Sequence, residues 1–413
     1  MITSAHKILV SAGFIATVFC FDLSVFASED TEYGNLDTTF RTFYFNRDKK
    51  QDTPDSVAFT QALMARYHSP YVGNTVNLNA SFFGALKLNG ETGKGGTGLL
   101  RDNADGSQSS YGKLAEIYAS IKLPNDGSLD IGRLQLDTPL LNDSDNRATP
   151  STTQAGLIDI KTAGPDFYVL ASDRGSAKTE DNFGEYTDTS GKTYNVYVAG
   201  IDHEFDNTLY LHGAAGQADN VLQQVYLNAK YQWKMNRDYS ALFDAYQYFG
   251  DADGEGALDG VGPNYSSDIT NLVAQISRSN AKFSISLQKV RGDSYRFSWD
   301  NGVHDDNDLK VWHVVQRMKF IRAEEESWQI RADYDFKNYI EGLTAFVRYT
   351  SGDNIRRSDG TEGSEWENNI DITYRPPGIK NLSLRWRNST VRSSETFDTN
   401  ENRIIINYSI AAF

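Results

Sequence analysis

A short segment near the C-terminal end of the chain alternates polar and apolar side chains residue by residue. It spans Leu382–Asn388 and reads "LSLRWRN", so that two arginines alternate with a leucine and a tryptophan. Alternation with a period of two is the signature of a β-strand whose two faces meet different surroundings. A soluble sheet with one wet face would use such a strand, and so would a pore wall whose outer side contacts lipid.

The same alternation returns along most of the chain, in segments of roughly ten residues, the usual length of a membrane-spanning β-strand. Further segments with this pattern are "LDTTFRTFYF", "VAFTQALMARYH", "TVNLNASFFGALK", "VYLNAKYQW" and "NNIDITY". Helical periodicity is hard to find between them. The sequence therefore predicts an all-β protein.

The connections between these segments alternate between short and long ones. The short connections are Pro124–Gly127, Ala163–Asp166, Phe205–Asn207 and Arg375–Gly378. The long, polar connections are Asn89–Tyr111, Gln135–Gln154, Arg174–Lys192, Gly250–Ser266, Gly292–Asp308 and Ser351–Ser364. Bacterial outer-membrane barrels combine short periplasmic turns with long outer loops. The pattern therefore predicts a transmembrane antiparallel β-barrel rather than a soluble sandwich.

The number of strands follows from the rhythm of these connections. Nineteen segments are candidate strands, whereas single-chain bacterial barrels have an even number. The segment Leu309–Arg322, "LKVWHVVQRMKFIR", alternates poorly and carries four Lys or Arg residues. Removing it from the count restores the order of short and long connections. We therefore predict eighteen strands, with Leu309–Arg322 folded into a long outer loop.

The composition limits the function classes that the chain can serve. Only 39% of the 413 residues are hydrophobic, yet 12% are aromatic, and the formal net charge is −15. A polar lumen surrounded by an apolar band with aromatic girdles has this composition. The acidic balance argues against nucleic acid as a partner. After the N-terminal segment no apolar run reaches about 18 residues, so the sequence predicts no transmembrane helix.

The N-terminal segment has the features of a secretory signal peptide. Lys7 precedes the apolar run "ILVSAGFIATVF", and "VFA" offers a cleavage site after Ala27. We therefore expect a signal peptide over residues 1–27 and a barrel domain over 28–413. The single cysteine, Cys20, lies inside this segment, and "TVFC" lacks the small residue that usually precedes a lipoprotein cysteine. Disulfides and thiolate metal sites are thus not expected in the mature chain.

Assigning the apolar face of each strand to lipid leaves a group of arginines that point into the lumen. They are Arg41, Arg66, Arg331, Arg348, Arg385, Arg387 and Arg403. The first and last strands of a closed barrel are neighbours, so these arginines would cluster on one arc of the wall. A guanidinium stays charged and presents a planar fork of donors to carboxylates. For each single arginine, solute contact and pairing with lumenal acids such as Asp37, Asp333 or Asp371 both remain open. For the whole cluster we favour solute contact.

Other chemical motifs are weak. The segment Gly250–Gly260, "GDADGEGALDG", has the acidic spacing of a calcium loop, but Gly262 stands where an EF-hand needs glutamate. A solvated outer loop is the preferred interpretation. Mature histidines are few, and none forms a recognisable grouping with serine and aspartate. We therefore expect no metal site, no cofactor and no enzymatic activity.

Several segments, in order along the chain, resemble the outer-membrane porin D family of Gram-negative bacteria, which includes chitoporin-like members. They are "LDTTFRTFYFNRD", "GRLQLDTPLLNDSDNRATPSTTQAG", "GLTAFVRYTSGDNI", "NLSLRWRNSTVR" and "NRIIINYSIAAF". The resemblance implies an eighteen-stranded barrel in the outer membrane that is a monomer or a loose homotrimer. It also implies contact with lipid and lipopolysaccharide, insertion by the barrel-assembly machinery, and passive, selective uptake of small nutrients that often carry a carboxylate.

The resemblance also implies an inward-folded third loop opposite a ladder of basic residues. That loop maps to Asp137–Thr153, with Arg147 at the position of the family's loop arginine and Asp143 and Asp145 beside it. By position, Arg41, Arg385, Arg387 and Arg403 match ladder residues, whereas Arg66, Arg331 and Arg348 rest on face assignment alone. An acidic loop facing arginines would suit organic acids, amino acids or small peptides. A general diffusion porin is the alternative function, and a barrel enzyme is a remote one.

Overall fold

The computed structural model describes residues 33–51, 53–302 and 307–411. Within these residues, eighteen antiparallel strands form one closed sheet, which confirms the predicted barrel. In chain order they are β1 (Asn35–Lys49), β2 (Ser56–His68), β3 (Val76–Asn89), β4 (Tyr111–Lys122), β5 (Ser128–Leu134), β6 (Thr152–Ile160), β7 (Asp166–Ser176), β8 (Val196–Phe205), β9 (Leu209–Ala218), β10 (Leu222–Lys234), β11 (Tyr239–Ala252), β12 (Ser266–Arg278), β13 (Ala281–Gly292), β14 (Glu326–Asp335), β15 (Leu343–Arg356), β16 (Glu362–Tyr374), β17 (Leu382–Ser393) and β18 (Thr399–Ala411). The cleavage site expected after Ala27 lies outside the described residues.

The first and last strands close the barrel by pairing with each other. Arg41 of β1 lies opposite Ala62 of β2 on one side and Asn407 of β18 on the other. A strand of two residues, Gly184–Glu185, adds to the outer end of β7 without crossing the wall. In the described part of the chain, no helix has the length and apolar character needed to cross a membrane.

The two ends of the barrel carry connections of different length. The four short turns predicted from the sequence all lie at one end, which is the periplasmic end by the general rule for such barrels. The longest connections lie at the opposite end and are loop 2 (residues 90–110), loop 3 (135–151), loop 4 (177–195) and loop 7 (293–325). As predicted, residues 309–322 form no strand and belong to loop 7. The long loop predicted over 351–364 is wrong, because β15 and β16 continue until only 357–361 remain between them.

Loops 3 and 7 fold into the barrel and form an apolar core with the wall from β6 to β13. Leu136, Leu140 and Leu141 of loop 3 and Trp299 of loop 7 are almost completely buried there. The indole N–H of Trp299 donates to the carbonyl oxygen of Leu140 at 2.6 Å, so the two loops also bond to each other. A Cβ atom at Gly216 of β9 would lie 3.0 Å from the Trp299 ring, so the glycine permits this close packing. The two loops thereby occupy the lumen beside this part of the wall.

Candidate functional site

Loop 3 reaches across the lumen to β1, where Arg41 holds it. The Nη1 and Nη2 atoms of Arg41 donate to Asp145 Oδ1 and Oδ2 at 2.6 and 2.9 Å. Arg41 Nη1 also donates to the carbonyl oxygen of Arg147 at 2.8 Å. Because a bidentate pair fixes orientation as well as distance, Arg41 holds the tip of the loop inside the pore.

Loop 7 lies along the inner wall of β16 and β18. The carboxylate of Glu367 accepts hydrogen bonds from the backbone N–H groups of Arg317, at 3.2 Å, and Met318, at 2.8 Å. Arg403 of β18 donates from Nη2 to the carbonyl oxygen of Gln316 at 3.2 Å. Three consecutive residues of the loop are therefore fixed to the wall, and the predicted outer loop is in fact a lining of the lumen.

The two inward loops are joined through Asp308 and Asn307 of loop 7. Asp308 Oδ2 accepts from Ser144 Oγ at 2.6 Å, and Asn307 Oδ1 accepts from the backbone N–H of Asn142 at 2.8 Å. Lys319 completes the contact, since its Nζ lies 3.1 Å from Asp308 Oδ1. Loops 3 and 7 thus form one unit that narrows the barrel.

A buried carboxylate on β18 pairs with arginines of the barrel wall and lies close to residues of loop 7. Glu401 is 0% exposed and accepts from Arg47 Nε and from Arg403 Nη2. Gln316 Nε2 lies 3.4 Å from its Oε2 atom, and Arg317 Nη1 lies 4.0 Å from its Oε1 atom. Because the carboxylate has several partners and no access to water, it is a structural anchor for loop 7 and not a solute contact.

A cavity of about 620 Å³ lies between the loops and the wall of β1, β17 and β18. Its cationic lining residues are Arg47, Arg147, Lys178, Arg317, Lys319, Arg387 and Arg403. Its carboxylate lining residues are Asp102 and Asp308. Behind this lining, Glu401 pairs with Arg47 and Arg403, and Asp371 lies close to Arg387, yet cations still outnumber carboxylates around the cavity. In a confined space with low-dielectric walls, such an excess concentrates anions.

Two further cavities follow along the same arc, with volumes of about 360 and 580 Å³. They share the lining residues Lys282, Arg331 and Asp333. Asp371 connects the last of them to the first, because it pairs with Arg385 at 2.6 Å and lies 3.0 Å from Arg387 Nε. Arg387 lines the 620 Å³ cavity, and Arg385 lines the 580 Å³ one. The two arginines of "LSLRWRN" therefore stand at the passage between the cavities.

The arginines predicted from strand faces all point into the lumen, but they differ in exposure. The side chains of Arg385, Arg331 and Arg387 are 39%, 26% and 16% exposed. Arg403 is 1% exposed and Arg348 is 7% exposed. The first three are open to the lumen, whereas the last two lie behind loop 7. The pairing with lumenal acids that the sequence left open occurs at Asp333 and Asp371, whereas Asp37 accepts a hydrogen bond from Asn35.

The remaining predicted residues lie away from this passage. Arg66 lies 3.6 Å from Glu116 and stacks over the ring of Phe83. Asp143 does not face the arginines, since its Oδ2 accepts from the backbone N–H of Leu136 at 2.8 Å. Asp137 is exposed and pairs with Lys310 of loop 7. Of the acidic residues expected in loop 3 opposite the arginine ladder, only Asp145 faces an arginine, and it already pairs with Arg41. The other carboxylates of the loop stabilise its conformation or its contact with loop 7.

The comparison with family models agrees with this architecture. A model described as outer membrane porin, OprD family, matches residues 30–412. The chain belongs to the OprD family. It is therefore a multi-pass β-barrel of the outer membrane and a channel for small solutes, and its relatives are porins rather than enzymes.

Among the relatives of this OprD-family porin is Porin D of Pseudomonas aeruginosa. It is 29% identical over 444 residues, which cover 99% of this chain and 98% of the relative. The crystal structure of Pseudomonas aeruginosa OccK9 (OpdG) superimposes with a TM-score of 0.82 at 25% identity, covering 92% of this chain and 98% of that one. That of Pseudomonas aeruginosa OpdK with vanillate superimposes with a TM-score of 0.78, also at 25% identity and with the same coverage.

Sequence reasoning missed the part of the porin's site that loop 7 supplies. Arg317 and Lys319 line the 620 Å³ cavity, and Glu367 and Glu401 bind loop 7. The sequence patterns predicted none of these four residues as part of the site. The available signal was the composition of residues 309–322. A segment with four cations among apolar residues fits neither a membrane strand nor a fully solvated loop, and lining a pore satisfies both kinds of side chain.

The root of loop 7 contains a buried acid with an unusual environment. Glu325 is 0% exposed, and its Oε2 atom accepts from the backbone N–H of Arg322 at 3.0 Å. A Cβ atom at Gly352 of β15 would lie 2.1 Å from Glu325 Oε1, so a larger residue there would displace the Glu325 carboxyl group. Burial, together with the negative charge of Glu365, raises the pKa of Glu325 to about 8. Burial and the neighbouring carboxylate therefore favour the protonated form of Glu325 in the folded protein.

This environment predicts a pH dependence of stability that Glu325→Gln removes. The folded state holds the proton more tightly than the unfolded state, so the contribution is complete below about pH 4.3 and is lost as pH rises through about 8. Between pH 5 and pH 8, wild type should lose on the order of 3 kcal/mol more than the variant. Urea midpoints of the detergent-folded porin at several pH values measure the difference. The neighbouring Glu326→Gln is the control, and equal slopes for wild type and Glu325→Gln would contradict the prediction.

Proposed function

We propose that this porin is a narrow channel for passive diffusion of small solutes that carry a carboxylate. The observation that carries the proposal is the cavity at the narrowed part of the barrel, where seven cationic side chains meet two lining carboxylates and the buried carboxylates of Glu401 and Asp371. The solved relative OpdK holds vanillate, an aromatic carboxylate, which is consistent with this solute class. An anion entering from outside would be drawn to the cavity by its field and released toward the periplasm.

The path of the solute follows from exposure along the arc. Arg387 lines the 620 Å³ cavity and Arg385 lines the 580 Å³ cavity, while Asp371 between them is only 4% exposed. A carboxylate can accept from one guanidinium after the other as it moves, because each arginine offers several donors. Binding at each arginine stays weak since Asp371 already shares their charge. Weak, repeated contacts permit both entry and exit, which conduction requires.

The charge distribution favours simple carboxylates over zwitterions such as amino acids or small peptides. A zwitterion needs an accessible carboxylate of the channel opposite the arginines. Asp145 is bound to Arg41, and Asp143 is bound within its own loop. The carboxylate of Asp308 is shared with Lys319 and Ser144. These three carboxylates are therefore already engaged, and the inward loops offer a zwitterion little free negative charge opposite Arg387.

Uptake by liposomes containing the purified porin tests this function. We expect small organic acids to enter faster than amino acids or sugars of similar size, and the current to be anion-selective. The triple variant Arg385→Gln, Arg387→Gln, Asp371→Asn should lower carboxylate uptake severalfold and shift the reversal potential toward cations. Asp371 is replaced as well, because a buried carboxylate left without its partners would destabilise the wall.

The matched control is the double variant Lys289→Gln, Glu326→Gln. It removes an exposed ion pair between β13 and β14 that lines none of the three cavities on this arc. Uptake by this variant should equal that of wild type. Unchanged carboxylate uptake in the folded triple variant would refute the proposed path. A large conductance that is indifferent to the solute would instead identify a general diffusion porin.

A further inference from the structure

The outer surface of the barrel carries an apolar groove near its periplasmic end. The groove has a volume of about 470 Å³ and runs across β11 to β15. Its floor consists of the alanines Ala281, Ala332 and Ala345, which lie on neighbouring strands. Phe283 and Val347, which are 46% and 52% exposed, stand beside them as walls. The three alanines between larger side chains thus form the groove on the face of the barrel that contacts lipid.

The periplasmic border of the groove is aromatic and bears the cation Arg278; Lys282 and Asp333, which also line the lumenal cavities, complete the polar lining. Arg278, the last residue of β12, stacks over the ring of Tyr239 with 5.1 Å between its Cζ atom and the ring centroid. Tyr334 and Phe336 lie on the other side, with their ring centroids 4.7 Å apart. Amphipathic aromatic rings collect where the hydrocarbon core meets the headgroups. The border therefore lies at the level of the lipid headgroups of the periplasmic leaflet.

Arg278 is exposed and lacks an acidic partner in the parts of the chain that the structure describes. It faces outward, in the same row as Ile276 and Leu272, which are 43% and 52% exposed. No carboxylate of those residues forms an ion pair with it. At this depth the available anions are lipid phosphates, and a guanidinium binds phosphate through two parallel hydrogen bonds. Charge complementarity thus indicates a phosphate at the mouth of an apolar groove.

We propose that this groove binds one glycerophospholipid of the periplasmic leaflet. Its phosphate accepts hydrogen bonds from the guanidinium of Arg278, and one of its acyl chains lies along Ala281, Ala332 and Ala345. The tyrosine under Arg278 holds the guanidinium at the mouth of the groove, since the ring face attracts the cation. The site lies outside the pore, so it does not depend on which solute the channel conducts.

Native mass spectrometry of the porin released from phosphatidylglycerol nanodiscs tests the site. Wild type should retain one phosphatidylglycerol and should not retain a diacylglycerol with the same chains, which lacks the phosphate. Arg278→Gln should lower retention about tenfold, as expected for the loss of a charged hydrogen bond. Ala332→Leu should lower it as well by filling the groove. Arg237→Gln, at another exposed arginine of the periplasmic end, should retain lipid as wild type does.

The three variants distinguish a lipid site from general loss of bound lipid and from a contact between copies of this chain. Wild-type retention in both Arg278→Gln and Ala332→Leu would overturn the proposal, and so would equal losses in all three variants. If Ala332→Leu left lipid unchanged but altered the oligomeric state, the groove would instead be such a contact, and the lipid site would be refuted. Single-channel conductance equal to that of wild type checks that each variant is folded.

Discussion

Glu401→Gln is expected to destabilise the folded porin by about 3–5 kcal/mol, the range for breaking a buried ion pair by removing one partner. The carboxylate is fully buried and neutralises Arg47 and Arg403, with Gln316 and Arg317 close by. A neutral amide leaves these arginines facing each other without an anion between them. Because Gln316 and Arg317 belong to loop 7, the damage should include the packing of that loop.

Urea unfolding of the porin in detergent micelles measures this effect, with the midpoint converted to free energy through the slope of the transition. The control is Asp48→Asn on β1, whose partner Lys50 and whose own side chain are both about two-fifths exposed. An exposed pair of this kind contributes at most about 1 kcal/mol. A Glu401→Gln midpoint as close to wild type as that of Asp48→Asn would show that the buried cluster contributes little.

The barrel could be predicted from the sequence because a membrane imposes the alternation of apolar and polar residues on every strand. Where the strands leave the membrane, that constraint ends. β15 continues through Ser351–Arg356 with polar residues on both faces and a bulge near Gly352. The sequence pattern of this segment therefore predicts a loop rather than a strand. The predicted loop over 351–364 failed for this reason. The short turns were predicted correctly, because proline, glycine and asparagine residues favour turns locally.

The candidate site was predictable only where it lies on strands. The face of each lumenal arginine follows from its neighbours, and all seven point inward as expected. Which arginines are exposed in the lumen depends on loop 7, whose path is fixed by contacts between distant parts of the chain. Arg403 and Gln316 are 87 residues apart in sequence, so no local sequence pattern predicts the hydrogen bond between them. Burial by a loop therefore divides a uniform ladder into exposed and covered arginines.

Loop 7 should leave the lumen part of the time when Glu367 is replaced by alanine, and the pore should then widen. The carboxylate holds the backbone N–H groups of Arg317 and Met318 and also accepts from Asn369 and Ser389. Each hydrogen bond to a charged group contributes about 1.5–3 kcal/mol. Losing both loop contacts removes on the order of 3 kcal/mol or more, which shifts the balance between closed and open loop by roughly a hundredfold.

Single-channel recording in planar bilayers measures this shift as frequent transitions to a conductance severalfold above that of wild type. Carboxylate selectivity should fall in the same events, because the loop carries Arg317 and Lys319 away from the cavity. Glu362→Ala is the matched control, since it removes an exposed glutamate from the same strand. If Glu367→Ala conducts as steadily as wild type while remaining folded, then the apolar packing of Trp299 and Leu309, not the carboxylate, holds loop 7 in the pore.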